Sequence, residues 1–188
     1  MSKSNSRLPI LRRNTRYVET SGSDNGSESG SDLSPRTPVT SLYERLGGVY
    51  GIAAVVDAFS DKILLDDLVG VNSPNPKLRN WSRKQAKSRL PGLKFQRTLW
   101  LCHVAGGPQK FVTTHEPAAT IVGLENAHCP LKISPVEFDR VAKILEQTLK
   151  EMNVPRQETQ EVLAAFAGHK SEVTQGAVSP AKCPFRKR

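Results

Sequence analysis

The sequence holds no apolar run long enough to span a bilayer, and its start lacks the paired basic and apolar stretches of a secretory signal. No membrane contact is therefore expected. Cysteine is scarce: Cys102, Cys129 and Cys183 are odd in number and without metal-finger spacing, which points to free thiols in a reducing compartment. No Ser/His/Asp set and no paired carboxylates occur at workable spacing, so hydrolase chemistry is not expected. Period-two alternation is also missing over any useful length, which excludes convincing strands. These absences leave a helical protein of one domain with tails.

Positive charge is in excess, with a formal net charge of +9 over 188 residues. Part of it lies in the tails, at Lys3, Arg7, Arg12, Arg13 and Arg16 and again at Lys182, Arg186, Lys187 and Arg188. A mid-chain group (Lys77, Arg79, Arg83, Lys84, Lys87 and Arg89) has only Trp81 interleaved. That pattern fits a solvated face better than a nucleic-acid surface.

Residues 1–40 read as a disordered arm. Ser21 to Asp32 is nearly all Ser, Gly and acid, and cannot bury enough apolar surface to offset its ordering entropy. Met1 to Val18 has Arg and Ser but no acid, the composition of a mitochondrial transit peptide. A merely basic arm is the preferred alternative, with a cytoplasmic location. Residues 41–172 form the expected domain and 173–188 a basic tail.

Within the domain, Ser41-Leu42-Tyr43-Glu44 is a capping box, in which hydroxyl and carboxylate satisfy each other's free amides. The short helix it starts should end at Gly47-Gly48. Ile52, Val55, Val56, Phe59 and Ile63 then give a long amphipathic helix that stops near Asp66-Asp67. Lys77 to Arg89 is polar and weakly helical. After Pro91-Gly92, Leu93, Arg97, Trp100, Leu101 and Val104 share a helix face that ends at Gly106-Gly107-Pro108. A second capping box, Ser134-Pro135-Val136-Glu137, opens a helix burying Phe138, Val141, Leu145, Leu149 and Met152. The last helix begins near Pro155 and buries Val162, Leu163 and Phe166. Five or six helices and an all-α fold are expected.

Two residues break the apolar pattern. Leu124, His128 and Leu131 fall on one face of a short helix that Pro130 must stop. A histidine so placed is either a hydrogen-bonded core residue or a metal ligand of neutral imidazole type. His115, in a loop before Pro117, is the rival ligand and is held less rigidly. Arg97 sits mid-line on the buried helix, and a buried guanidinium needs an anion or an oriented acceptor unless its stem snorkels to water.

The order of motifs resembles the truncated globins, group I type. Leu42-Tyr43-Glu44-Arg45-Leu46-Gly47-Gly48, Ala58-Phe59, Gly106-Gly107-Pro108, Ala127-His128, Phe138-Asp139, Thr148-Leu149 and Val154-Pro155 carry the likeness. It implies a two-over-two helical sandwich around haem b, a monomer, and His128 as the proximal iron ligand. Phe59, Leu93, Trp100, Leu124 and Leu131 would wall the haem. On the distal side Ser60 stands where the family has Tyr, and Arg97 where Gln is frequent. Arg97 would then meet a bound gas or pair with a propionate, with Lys94 and the Lys77 to Arg89 cluster as further propionate partners. The resemblance implies binding of dioxygen, nitric oxide or carbon monoxide, with nitric oxide dioxygenation or gas sensing as activities. The missing distal Tyr keeps open the alternative of a globin-fold regulatory module with a weakened haem site.

Overall fold

A computed structural model describes residues 40–109 and 124–179. Among these residues there are eight α-helices and no strand. Helix α1 (Leu42–Arg45) is nucleated by the expected box, since Ser41 Oγ accepts from the Glu44 amide at 3.2 Å and Glu44 returns a carboxylate to the Ser41 amide at 3.0 Å. Gly47 then takes a left-handed conformation, φ +84°, which lets α2 (Gly48–Leu65) leave in a new direction. Asp66 ends α2 by accepting from the Leu68 and Val69 amides at 2.9 and 3.2 Å.

The polar stretch beyond the Pro-rich loop is more helical than its pattern announces. Asn75 caps α3 (Pro76–Lys84) by accepting from the Lys77 and Leu78 amides. One π-helical segment, Gln85–Arg89, leads straight into α4 (Leu90–Val104). Pro91 explains it: a regular turn would set the Pro ring against the Lys87 carbonyl, and a wider turn relieves the clash. Pro91 thus lies inside one continuous helical path, where the sequence suggests a break.

Helix α5 (Leu124–His128) stops at His128, and Pro130 sits in the 3₁₀ turn Cys129–Leu131 that follows. Ser134 and Glu137 form the second box at the head of α6 (Pro135–Glu151). Helix α7 (Arg156–Gly168) follows Pro155, and α8 (Lys170–Val178) runs past residue 172, the expected end of the domain, to bury Val173, Thr174 and Gly176. Too few apolar residues occur in α8 for a periodic signal, and its burial comes from neighbours.

Helix α2 packs on α4 and α6 on α7, with α2 against α6 between the pairs, the two-over-two arrangement. Ile52, Val56, Leu101, Cys102 and Ala105 fill the α2–α4 side, and Val55, Leu145, Leu149 and Val162 the α6–α7 side. Phe138 stacks on Phe166 at 4.7 Å. Charged ties sit outside: Arg45 to Glu158 at 2.9 Å and to Glu161, Lys62 to Glu151, and Arg140 to Asp66 at 2.7 Å. Cys102 is a buried free thiol, whereas Cys129 is in a disulfide. That corrects the expectation of free thiols, which rested on spacing along the chain. Cys183, His115, residues 1–39 and residues 180–188 lie outside the described residues.

Candidate functional site

Helices α2 to α8 leave a cavity of about 1140 Å³ between them. From the residues singled out in the sequence, Phe59, Leu93, Arg97 and Trp100 line it from α2 and α4, and Leu124, His128 and Leu131 from α5 and the turn after it. Ser60 does not line the wall. It is fully buried and accepts a hydrogen bond from Arg97 Nη1 at 3.0 Å.

The geometry of His128 follows from its place at the end of α5. Its Nδ1 lies 2.7 Å from the Leu124 carbonyl, one helical turn back. A carbonyl can only accept, so Nδ1 carries the hydrogen and Nε2 keeps its lone pair. Burial pushes the imidazole's pKa down and the nearby Arg97 charge adds to it, while the Leu124 hydrogen bond works the other way. The balance is a neutral ring on the cavity wall, the form in which imidazole donates to a metal.

Arg97 is the opposite case. Its guanidinium lies 5.9 Å from the Phe59 ring centroid and has Ser60 as its one hydrogen-bond partner among the described residues. Desolvation lowers its pKa to about 10, with no acid to offset the loss of water. No Asp or Glu lines the cavity among the described residues. Arg97 is half-buried, and its guanidinium lies on the cavity wall beside Ser60 and the Phe59 ring.

The other basic residues separate into two groups. Lys94 is spent on α2, with Nζ at 2.7 Å from both Asp57 and Asp61, which removes it from the propionate partners. Arg79 and Arg83 donate to the Ser73 and Val71 carbonyls at 2.8 and 2.9 Å, closing the loop before α3. Arg89 lines the cavity.

Trp81, Gln85 and His169 also line the cavity and were missed in the sequence. Trp81 and Gln85 follow Leu78 at helical spacing, a stripe hidden by the charges around it. His169 links α7 to α8, pairs through Nδ1 with Glu172 at 3.2 Å, and meets Trp100 edge-on at 5.3 Å. Trp100 Nε1 is buried without a hydrogen-bond partner among the described residues.

The family model described as bacterial-like globin matches residues 41–175. The group 1 truncated hemoglobin GlbN of Synechocystis sp. is 32% identical over 143 residues, covering 72% of this chain and 98% of that protein. The 2/2 hemoglobin of Synechococcus sp. PCC 7002, solved in the cyanomet state with covalently attached heme, is 26% identical. It covers 72% of this chain and 99% of its own, at a TM-score of 0.55. The Fe(III) form of truncated hemoglobin from Tetrahymena pyriformis, 21% identical, covers 71% of this chain and 97% of its own at a TM-score of 0.55, a likeness of fold.

Proposed function

The chain belongs to the bacterial-like globin family, and from that premise we propose that it holds haem on His128 and binds a diatomic gas on the Arg97 side of the cavity. The observation that carries this reading is the neutral, hydrogen-bonded His128 on the wall of a large apolar cavity. Among the described residues no cluster of three or more metal-ligating side chains exists. A metal at His128 must then bring most of its own donors, as a porphyrin does.

The residues fit that group. Phe59, Leu93, Trp100, Leu124 and Leu131 supply apolar walls for a flat aromatic disc, and the cavity is slightly larger than most pockets for bound organic molecules. Arg89 is the wall cation for a propionate, now that Lys94, Arg79 and Arg83 are otherwise engaged. Bound haem supplies an open iron site for dioxygen, nitric oxide or carbon monoxide. The protein supplies the rest. His128 would hold the group through Nε2, its ring fixed by the Leu124 carbonyl. The apolar wall excludes water, and Arg97 offers a charged donor to a ligand that gathers negative charge.

A weakened site, the regulatory-module reading, would leave the interior filled by side chains. The open cavity supports the haem reading instead. Gas binding, nitric oxide dioxygenation and sensing share this site, and the cytoplasm and a monomeric state remain part of the proposal. No helix among the described residues is long and apolar enough to cross a membrane.

Absorption spectroscopy of the purified protein tests the reading. A Soret band at one haem per chain is expected, lost in His128→Ala and retained in His115→Ala. Absence of haem from the wild type, or full retention in His128→Ala, overturns it.

A further inference from the structure

Arg97 is costly where it stands. A guanidinium taken from water into apolar surroundings needs a counter-charge or a full set of acceptors. This one has a single hydroxyl, Ser60 Oγ at 3.0 Å, and the face of Phe59. Its other N–H donors have no partner among the described residues, and no carboxylate lines the cavity it borders.

We propose that the Arg97 side of the cavity is a site for a small inorganic anion of the azide or nitrite kind, clamped by the guanidinium that Ser60 holds in place. This rests on the haem reading above and adds the class of ligand the site prefers. Three features favour a free anion over a haem propionate as the missing counter-charge. Ser60 is fully buried, so it anchors the guanidinium at depth, whereas propionates end at the rim near water. Arg89 on the wall is available for the rim. The planar fork also suits an anion with two or more terminal atoms, which it can meet through two parallel N–H groups. Apolar walls lower the local dielectric and strengthen the attraction.

The site should therefore discriminate by charge. In the ferric holoprotein, Arg97→Leu is expected to raise the dissociation constants of azide and nitrite about ten- to a hundredfold, the range for losing a hydrogen bond to a charged group. Imidazole, a neutral ligand read by the same Soret shift, should change little. Ser60→Ala, which frees the guanidinium without removing it, should weaken the anions by a smaller factor. If Arg97→Leu loses its haem, Arg97→Gln keeps a polar side chain without the charge and gives the same comparison. Equal changes for azide and imidazole overturn the proposal, as does unchanged azide affinity with faster haem loss, which would assign Arg97 to a propionate. In either case the Soret band of the wild type still stands, so the haem reading survives. A wild type without haem removes both.

Discussion

Arg97 Nη1 and Ser60 Oγ, 3.0 Å apart, join α4 to α2 in the middle of the fold. By the resemblance to truncated globins, the hydroxyl falls where that family usually carries Tyr, and the guanidinium where Gln is frequent. A short acceptor and a long charged donor thus replace a long phenolic donor and an amide. The exchange moves the donor from α2 to α4 and gives it a permanent charge. It also leaves the cavity wall with a cation that no acid among the described residues neutralises.

Gas kinetics should reveal that charge. Dioxygen gathers more negative charge on its outer atom than carbon monoxide does, so it gains more from a cationic donor. Arg97→Leu keeps the apolar line of Leu93 and Trp100 and deletes the donor. Dioxygen dissociation should accelerate by roughly ten- to a hundredfold, the equivalent of about 1.5–3 kcal/mol, with carbon monoxide nearly unchanged. Stopped-flow measurement of both gases in wild type and variant decides the matter. Equal acceleration would take Arg97 away from the ligand.

Acid stability should depend on Asp66. Burial alone would raise its pKa, but the Arg140 hydrogen bond, the Leu68 and Val69 amides and the Arg140 charge outweigh it, leaving the carboxyl below its ordinary 3.8. A carboxyl depressed in the folded state contributes stability above its unfolded pKa. That contribution is lost as pH falls through the folded value. Melting temperatures of the wild type should therefore drop as pH is lowered below about 4. Asp66→Asn should melt a few degrees lower at neutral pH, a cost of about 1–2 kcal/mol, and show a shallower acid slope. Parallel slopes for the two proteins would show that other carboxyls set the acid limit.

What the sequence discloses, and what it hides, follows from how local each signal is. Both capping boxes were legible because their partners lie three residues apart and the backbone supplies the rest. His128 was legible for the same reason: Leu124, Pro130 and Leu131 fix its face and its position at a helix end. The fate of Lys94 was not, since Asp57 and Asp61 lie on another helix and only packing of α4 on α2 brings them to Nζ. Arg97 presented an even choice between snorkelling and burial, which turns on whether the surrounding helices enclose it. Helix α8 escaped notice because Val173 and Gly176 are buried by tertiary contact, with no stripe to mark them. His169 was overlooked with it.

Gly176 tests whether α8 matters to the site. The helix lies so close to the turn after α5 that a Cβ at position 176 would sit 2.1 Å from the Cys129 carbonyl oxygen. The obstacle is backbone, so it cannot swing aside as a flexible side chain would. Gly176→Ala must therefore push α8 and the Cys129–Leu131 turn apart. The turn begins one residue after His128, so the displacement reaches the ring proposed above as the haem ligand. Ordinarily a Gly→Ala change inside a helix stabilises by a few tenths to about 1 kcal/mol, through the entropy of the unfolded chain. Here overpacking should reverse the sign and cost about 1–3 kcal/mol. Gly168, the last residue of α7, is the internal control, because a Cβ there meets nothing within 4 Å. Gly168→Ala should be neutral or mildly stabilising. Thermal unfolding of both variants, together with the rate of haem transfer to an acceptor apoprotein, reads the two effects. Faster haem loss is expected in Gly176→Ala alone. If the two variants behave alike in both measurements, α8 does not brace the His128 segment.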